Sequence, residues 1–148
     1  MPQADRKLLK RYLAQYHNAK ERKSTLQKRV NTLRADLSRT AKGGEIDYKI
    51  SEIEARMKRQ AEVEANAVLS VMDMIDFLPV GSTERHILEL RHIDCKSWTE
   101  IQRIVHLTRS PCNEYYNRGL DALLTYKKVR QMLAKFERQM ARIEKDGW

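Results

Sequence analysis

Glycine and proline are scarce in this chain, 5 and 3 in 148 residues. Turns are therefore few, which favours long helices over a loop-rich or many-stranded design. Aromatic residues make up 7%, too little for a large mixed-sheet core. Cysteine is nearly absent. Cys95 and Cys112 form no C-x-x-C, and His17, His86, His92 and His106 show no ligand spacing with them. A structural zinc is therefore not expected, nor is any cofactor, and the thiols are expected to stay reduced as in a cytosolic protein. No run of about 18 apolar residues occurs, so no membrane span is expected. The basic start is not followed by the apolar core of a signal peptide. No Ser/His/Asp spacing, phosphate loop or pair of acids on one site occurs, so the chain is not expected to be an enzyme. Glu52 and Glu54 are scattered along an acidic helix and read as partners for a basic arm.

Charge is what the chain has in abundance: 33% of residues, net +9. Its distribution is uneven. Residues 1–42 hold 12 Lys/Arg against 3 Asp/Glu, 43–77 hold 4 against 8, 78–124 hold 6 against 6, and 125–148 hold 7 against 3. A basic segment followed by an acidic one predicts that the two pair. The positive remainder then faces a polyanion, or it is a solvated helix face.

Apolar spacing gives the helices. From Asp5 to Arg39, Leu26, Val30, Leu33 and Leu37 step by four and three, a seam of the coiled-coil kind. "KGGEID" follows, with Gly43 or Gly44 suited to end a helix in the left-handed conformation. A second helix over 47–77 carries Ile46, Ile50, Ile53, Met57, Val68, Val71 and Ile75 at similar steps. Two seams joined by a short turn predict an antiparallel hairpin. Glu64 within the seam, and Tyr16 and Lys23 opposite, are expected to loosen it. Pro79 and Gly81 break the pattern, and Ser82 or Thr83 caps a helix with Ile87, Leu88, Leu90 and Ile93.

Ser97 and Glu100 form an S-x-x-E capping box. It starts a two-turn helix with Trp98, Ile101, Ile104 and Val105 as its apolar positions. His106-Leu107 makes a corner, with Leu107 inward, and another helix starts near Thr108 to Ser110. Its inward positions are Cys112, Tyr115, Gly119, Leu120 and Leu123. Arg109, Ser110, Asn113, Glu114, Asn117 and Arg118 form a polar outer face. This is helix-turn-helix organisation, with the second helix placed to enter a DNA major groove. Asn113 suits adenine, Arg109 guanine and Glu114 cytosine, with Asn117 one turn on. Ser110 or Thr108 suits a phosphate at the helix N-terminus, and Arg103 and Lys96 suit phosphates or plain solvent. Trp98 and Tyr115 read as packing residues. Tyr116 packs on a neighbour or reaches a sugar-phosphate edge.

The stretch "TERHILELRHIDCKSWTEIQRIVHLTRSPCNEYYNRGLDALL", residues 83–124, resembles the fourth conserved domain of bacterial sigma-70-type factors. The match runs without a gap from Trp98 to Leu123, with Leu107-Thr108-Arg109 as the turn and Gly119 to Leu123 as the closing motif. Pro111, Tyr116 and Gly119 depart from the family pattern. With Pro111 as the first helical residue, Ser110 becomes the cap and Arg109 falls in the turn. In size and element order the chain is similar to small phage and prophage late-gene regulators of the RinA and ArpU type. The resemblance implies a regulator, an activator, of phage or mobile-element genes. It acts at the nucleoid of a bacterial cytoplasm and touches RNA polymerase.

The fold expected is all-α: a coiled-coil-like hairpin over 1–78, a sigma-like helix-turn-helix over 79–124 and a helical extension over 125–148. With no stop signal after Leu124, the recognition helix is expected to run on to Asp146. Leu133, Phe136, Met140 and Ile143 then form a stripe that packs on the hairpin or on a second copy, making a homodimer. Lys127, Lys128, Arg130, Lys135, Arg138 and Arg142 track phosphates or keep the helix soluble. Double-stranded DNA is the leading partner. The alternatives are a DNA-packaging component like a phage small terminase, and a protein that binds polymerase without reading DNA.

Overall fold

A computed structural model describes residues 3–40 and 43–146, and every regular element among them is an α-helix. They are α1 (Gln3–Leu13), α2 (Gln15–Thr40), α3 (Gly43–Ile75), α4 (Thr83–His92), α5 (Trp98–Val105), α6 (Arg109–Leu124) and α7 (Lys127–Asp146). No helix among them is long and apolar enough to cross a membrane.

The expected first helix is interrupted at Ala14. The ladder itself continues, since Ala14 N–H donates to Lys10 O and Asn18 N–H to Ala14 O, both at 3.0 Å. The Gln15 side-chain amide donates to the Tyr12 carbonyl at 2.9 Å, the kind of insertion that breaks a helix locally. The second arm begins at Gly43, so Gly43 and Gly44 open α3 rather than end the first helix as expected; residues 41 and 42 lie outside the described residues.

α2 and α3 run antiparallel. Gln60 donates to the Ala19 carbonyl at 3.2 Å, Lys23 faces Glu64 at 3.5 Å, and Arg34 grips Glu54. The basic and acidic arms thus pair as their charges predict. α2 alone, 26 residues, reaches about 39 Å. Along this stalk Val30 is buried, while Leu26, Leu33, Leu37, Ile50, Ile53 and Met57 are half-buried, because two helices cover only one side of each other. Glu64 is the seam's weak point. Its side chain is 18% exposed, and its Oε2 accepts no hydrogen bond although Lys23 lies 3.5 Å away.

The remaining elements form a head around one core. Leu9 and Leu13 of α1, Met74 and Ile75 of α3, Leu88 of α4, Ile101 of α5, Leu120 of α6 and Val129 of α7 are all buried in it. That core crosses both expected boundaries, at 78/79 and at 124/125. α6 and α4 come close at Gly119, where a Cβ would meet Leu88 Cδ1 at 2.7 Å and Glu84 Cβ at 3.3 Å. The glycine that departs from the sigma pattern thus lets α6 approach α4 closely, and a larger residue there would displace the Leu88 side chain.

The recognition helix does not run on to Asp146. It ends at Leu124, where Thr125 Oγ1 donates to the Ala122 carbonyl at 2.6 Å. Arg130 reaches back to the carbonyls of Leu124 and Thr125 at 3.0 and 2.9 Å, satisfying the exposed helix end. α7 then folds against α1. Phe136 meets the Tyr12 ring edge-on at 5.2 Å, and Arg11 pairs with Glu144 at 3.0 Å. The stripe of Val129, Leu133 and Phe136 is therefore covered within the chain, while Ile143 remains exposed.

Candidate nucleic-acid interface

The corner between α5 and α6 is fixed from both sides. Ser97 caps α5: its Oγ accepts from Glu100 N–H, and Glu100 Oε1 accepts from Ser97 N–H, both at 3.2 Å. The second bond holds the Glu100 carboxyl below its usual pKa range. This box is worth about 1 kcal/mol to a two-turn helix that is marginal alone. α5 ends on His106 in the left-handed region, φ 56°, so that the N–H groups of His106 and Leu107 both reach the Gln102 carbonyl. Leu107 turns inward onto the core, as its spacing predicts.

α6 starts one step earlier than Pro111 suggests. Thr108 is extended and is the cap, Arg109 is the first helical residue, and Pro111 is the third. The missing Pro111 N–H costs nothing there, since the first-turn N–H groups have no partner inside the helix. Ser110 is therefore helical rather than a cap, and Arg109 belongs to α6 rather than to the turn. Thr108 makes no side-chain cap bond. The N–H groups at this end are left for solvent or an anion.

Both tyrosines pack, and of the two alternatives for Tyr116 the structure shows the contact with a neighbour. Tyr116 is buried and Tyr115 only half-buried. The Tyr116 hydroxyl meets His92 Nε2 of α4 at 2.9 Å, and its ring takes Trp98 edge-on at 4.9 Å. Arg91 lies over Trp98 at 5.0 Å and also donates to the Lys96 carbonyl at 3.1 Å. Burial lowers the His92 pKa to about 3 and pushes the Tyr116 hydroxyl up to about 12. Both groups are neutral at physiological pH, and this stack sets the angle between α5 and α6.

Outside the stack, Arg109 and Asn113 of α6 face Thr99 and Gln102 of α5 across an open depression of about 450 Å³ floored by Trp98. Ser110 and Glu114 are exposed farther round α6, and Asn117 is half-buried. Arg118 lies over the Tyr115 ring at 5.2 Å. Arg103 is exposed on α5. Lys96 is half-buried and lies 3.9 Å from Glu100, so it is less free for a phosphate than its charge suggests. Thr99 and Gln102 were not among the residues expected from sequence. Their i, i+3 spacing on the side away from Ile101 was the available signal.

By count, residues 78–124 are neutral. The fold changes the balance that a ligand meets. Glu89 faces Arg85 at 3.6 Å, and Asp121 is held by Arg6 of α1 through bonds of 2.7 and 2.6 Å. That hydrogen-bonded pairing depresses the Asp121 pKa and raises that of Arg6. Glu100 is occupied by its cap and Lys96. On α6 and the outer side of α5 this leaves Arg103, Arg109 and Arg118 against Glu114, with Asp94 exposed just before α5 and Glu84 on α4. No group of three His, Cys, Asp or Glu side chains placed to hold a metal occurs among the described residues.

Compared with protein-family models, with curated proteins and with solved structures, the chain matches none.

Proposed function

We propose that this protein is a sequence-specific double-stranded DNA-binding transcriptional regulator, with α6 as the helix that enters the major groove. One observation carries the reading. The first turns of α6 present Arg109, Ser110, Asn113 and Glu114 clear of the core, beside Thr99 and Gln102 of a helix braced at a fixed angle to it. These are short, hydrogen-bonding side chains and an arginine, the types that read base edges. Asn113 takes adenine and Arg109 guanine. Gln102 or Thr99 reaches the backbone where α5 crosses the groove edge. The uncapped N–H groups at Thr108 to Ser110 add a phosphate contact. That the target genes are phage or mobile-element genes, that regulation is activation and that RNA polymerase is touched rest on the resemblance of residues 83–124 to sigma factors. The packaging alternative needs a self-association surface, and the α7 stripe that the sequence offered is largely covered by α1.

Selection of bound fragments from a random duplex pool at about 0.15 M salt, where exposed charges are partly screened, tests the reading. The expected result is an enriched motif that Asn113→Ala relaxes at one position, at a cost of about 1–3 kcal/mol on the preferred fragment. A pool that stays random while the protein still binds DNA would sink the assignment of α6 as a reader.

A further inference from the structure

At 3.6 residues per turn, Lys127, Lys135, Arg138, Arg142 and Lys145 of α7 fall on one stripe, with Lys128 at its edge. All of them are exposed, because the opposite stripe of Val129, Leu133 and Phe136 is buried against the head. By position, the one acid on this side of α7 is Asp146, its last residue, in line with Lys128 at the edge. Glu137 and Glu144 stand on the other flank, and Glu144 is taken by Arg11 at 3.0 Å. Among the described residues none of the ridge cations has an ion-pair partner. On α2, by comparison, two cations that face the partner arm are answered: Glu64 faces Lys23 at 3.5 Å and Glu54 grips Arg34. Like charges three and four apart repel along a helix, so the α7 arrangement lowers stability unless something negative lies against it.

The shape of the ridge restricts that partner. From Lys127 to Lys145 it is straight and roughly 27 Å long, at 1.5 Å per residue. It carries no aromatic ring on which single-stranded bases would stack. The uncharged positions along it are Gln131, Ala134 and Gln139, which give nothing to insert into a bilayer. A rigid row of ammonium and guanidinium groups fits the phosphates of a duplex, which recur every 3.4 Å of axis on each strand.

We infer that the α7 ridge is a second, sequence-independent DNA surface that lies along duplex phosphates flanking the site read by α6. The position of the ridge beside the read site rests on the proposed role of α6; its binding of duplex phosphate does not. The full chain is titrated with a random-sequence DNA duplex and with the selected fragment across a salt series. Three proteins are compared with wild type: Lys135→Gln/Arg138→Gln/Arg142→Gln, the charge-preserving Lys135→Arg/Arg138→Lys/Arg142→Lys, and Asn113→Ala. The neutral triple variant is expected to lower the slope of log Kd against log salt by about 2.7, or 0.9 per lost phosphate contact, on both duplexes. The charge-preserving variant should keep the slope, which separates lost charge from lost structure. Asn113→Ala should keep it on random DNA. An unchanged slope in a neutral triple variant with wild-type helicity and melting overturns the inference, as does tighter binding of duplex RNA or single strands than of duplex DNA. A lowered slope in a protein that selects no motif leaves the ridge standing and removes the role given to α6.

Discussion

Head and stalk are made of the same helices, yet they are held in different ways. In the head, six helices or helix ends enclose a core in which Leu9, Leu13, Ile87, Leu88, Ile101 and Leu120 are wholly excluded from solvent. In the stalk, Val30 is the deep contact, and its neighbours Leu26, Leu33 and Leu37 keep part of their surface in water. Ion pairs across the arms do not make up the difference. Arg34 and Glu54 are about half exposed, and such pairs are worth roughly 0–1 kcal/mol. Enclosure, not helix length, is what makes the head the cooperative unit, and the stalk is anchored to it at one end.

Three changes probe that contrast. The largest effect is expected from core truncation. Leu120→Ala should cost about 4 kcal/mol in chemical denaturation, whereas Leu33→Ala should cost about 1 kcal/mol and show mainly as faster amide exchange in α2. Equal losses would mean that the stalk is as enclosed as the head.

The next effect is confined to the head and comes from acid. The folded chain keeps His92 neutral down to a pKa of about 3, against 6.5 for an ordinary histidine. Between those values the unfolded chain binds a proton that the folded chain refuses. Stability should therefore fall by about 1.4 kcal/mol for each pH unit below 6.5. Denaturation midpoints from pH 7 to pH 4 would read this slope. His92→Gln, which keeps a partner for the Tyr116 hydroxyl, should flatten it. A slope that survives the substitution would assign the acid sensitivity elsewhere.

The smallest effect is a gain in the stalk. Glu64→Leu removes an oxygen left without a hydrogen bond and completes the seam, and it should add about 1 kcal/mol. A loss of that size instead would show that the Lys23–Glu64 contact supports the register.

Local signals survived the passage from sequence to structure best. The helix spacing, the Ser97–Glu100 box, the Ser82 cap and the pairing of oppositely charged arms depend on residues three or four apart, or on summed charge, and all are present. Features that spacing left open or placed elsewhere depend on distant partners or on a one-residue choice. Tyr115 and Tyr116 stand three and four beyond Cys112 and satisfy one helical face equally; His92 and Trp98 decide for Tyr116. The break after Leu124 carries no glycine or proline and is made by Arg130 reaching back. Pro111 is as acceptable third in a helix as first, so it could not fix where α6 begins. At the candidate site, the outer face of α6 was legible from spacing, while the share taken by α5 through Thr99 and Gln102 needed the angle between the helices.

The pairing of α1 with the far end of the chain has a consequence in time. Arg6 meets Asp121 across 115 positions, and Arg11 meets Glu144 across 133. During synthesis α1 leaves the ribosome long before these partners exist, while α2 and α3 have theirs at hand as soon as α3 emerges. Contacts close in sequence form early and distant ones late, so the stalk zips first and the head closes only when α7 is made. Until then the exposed face of α1, with Leu9, Tyr12 and Leu13, is the part of the nascent chain that a chaperone would meet.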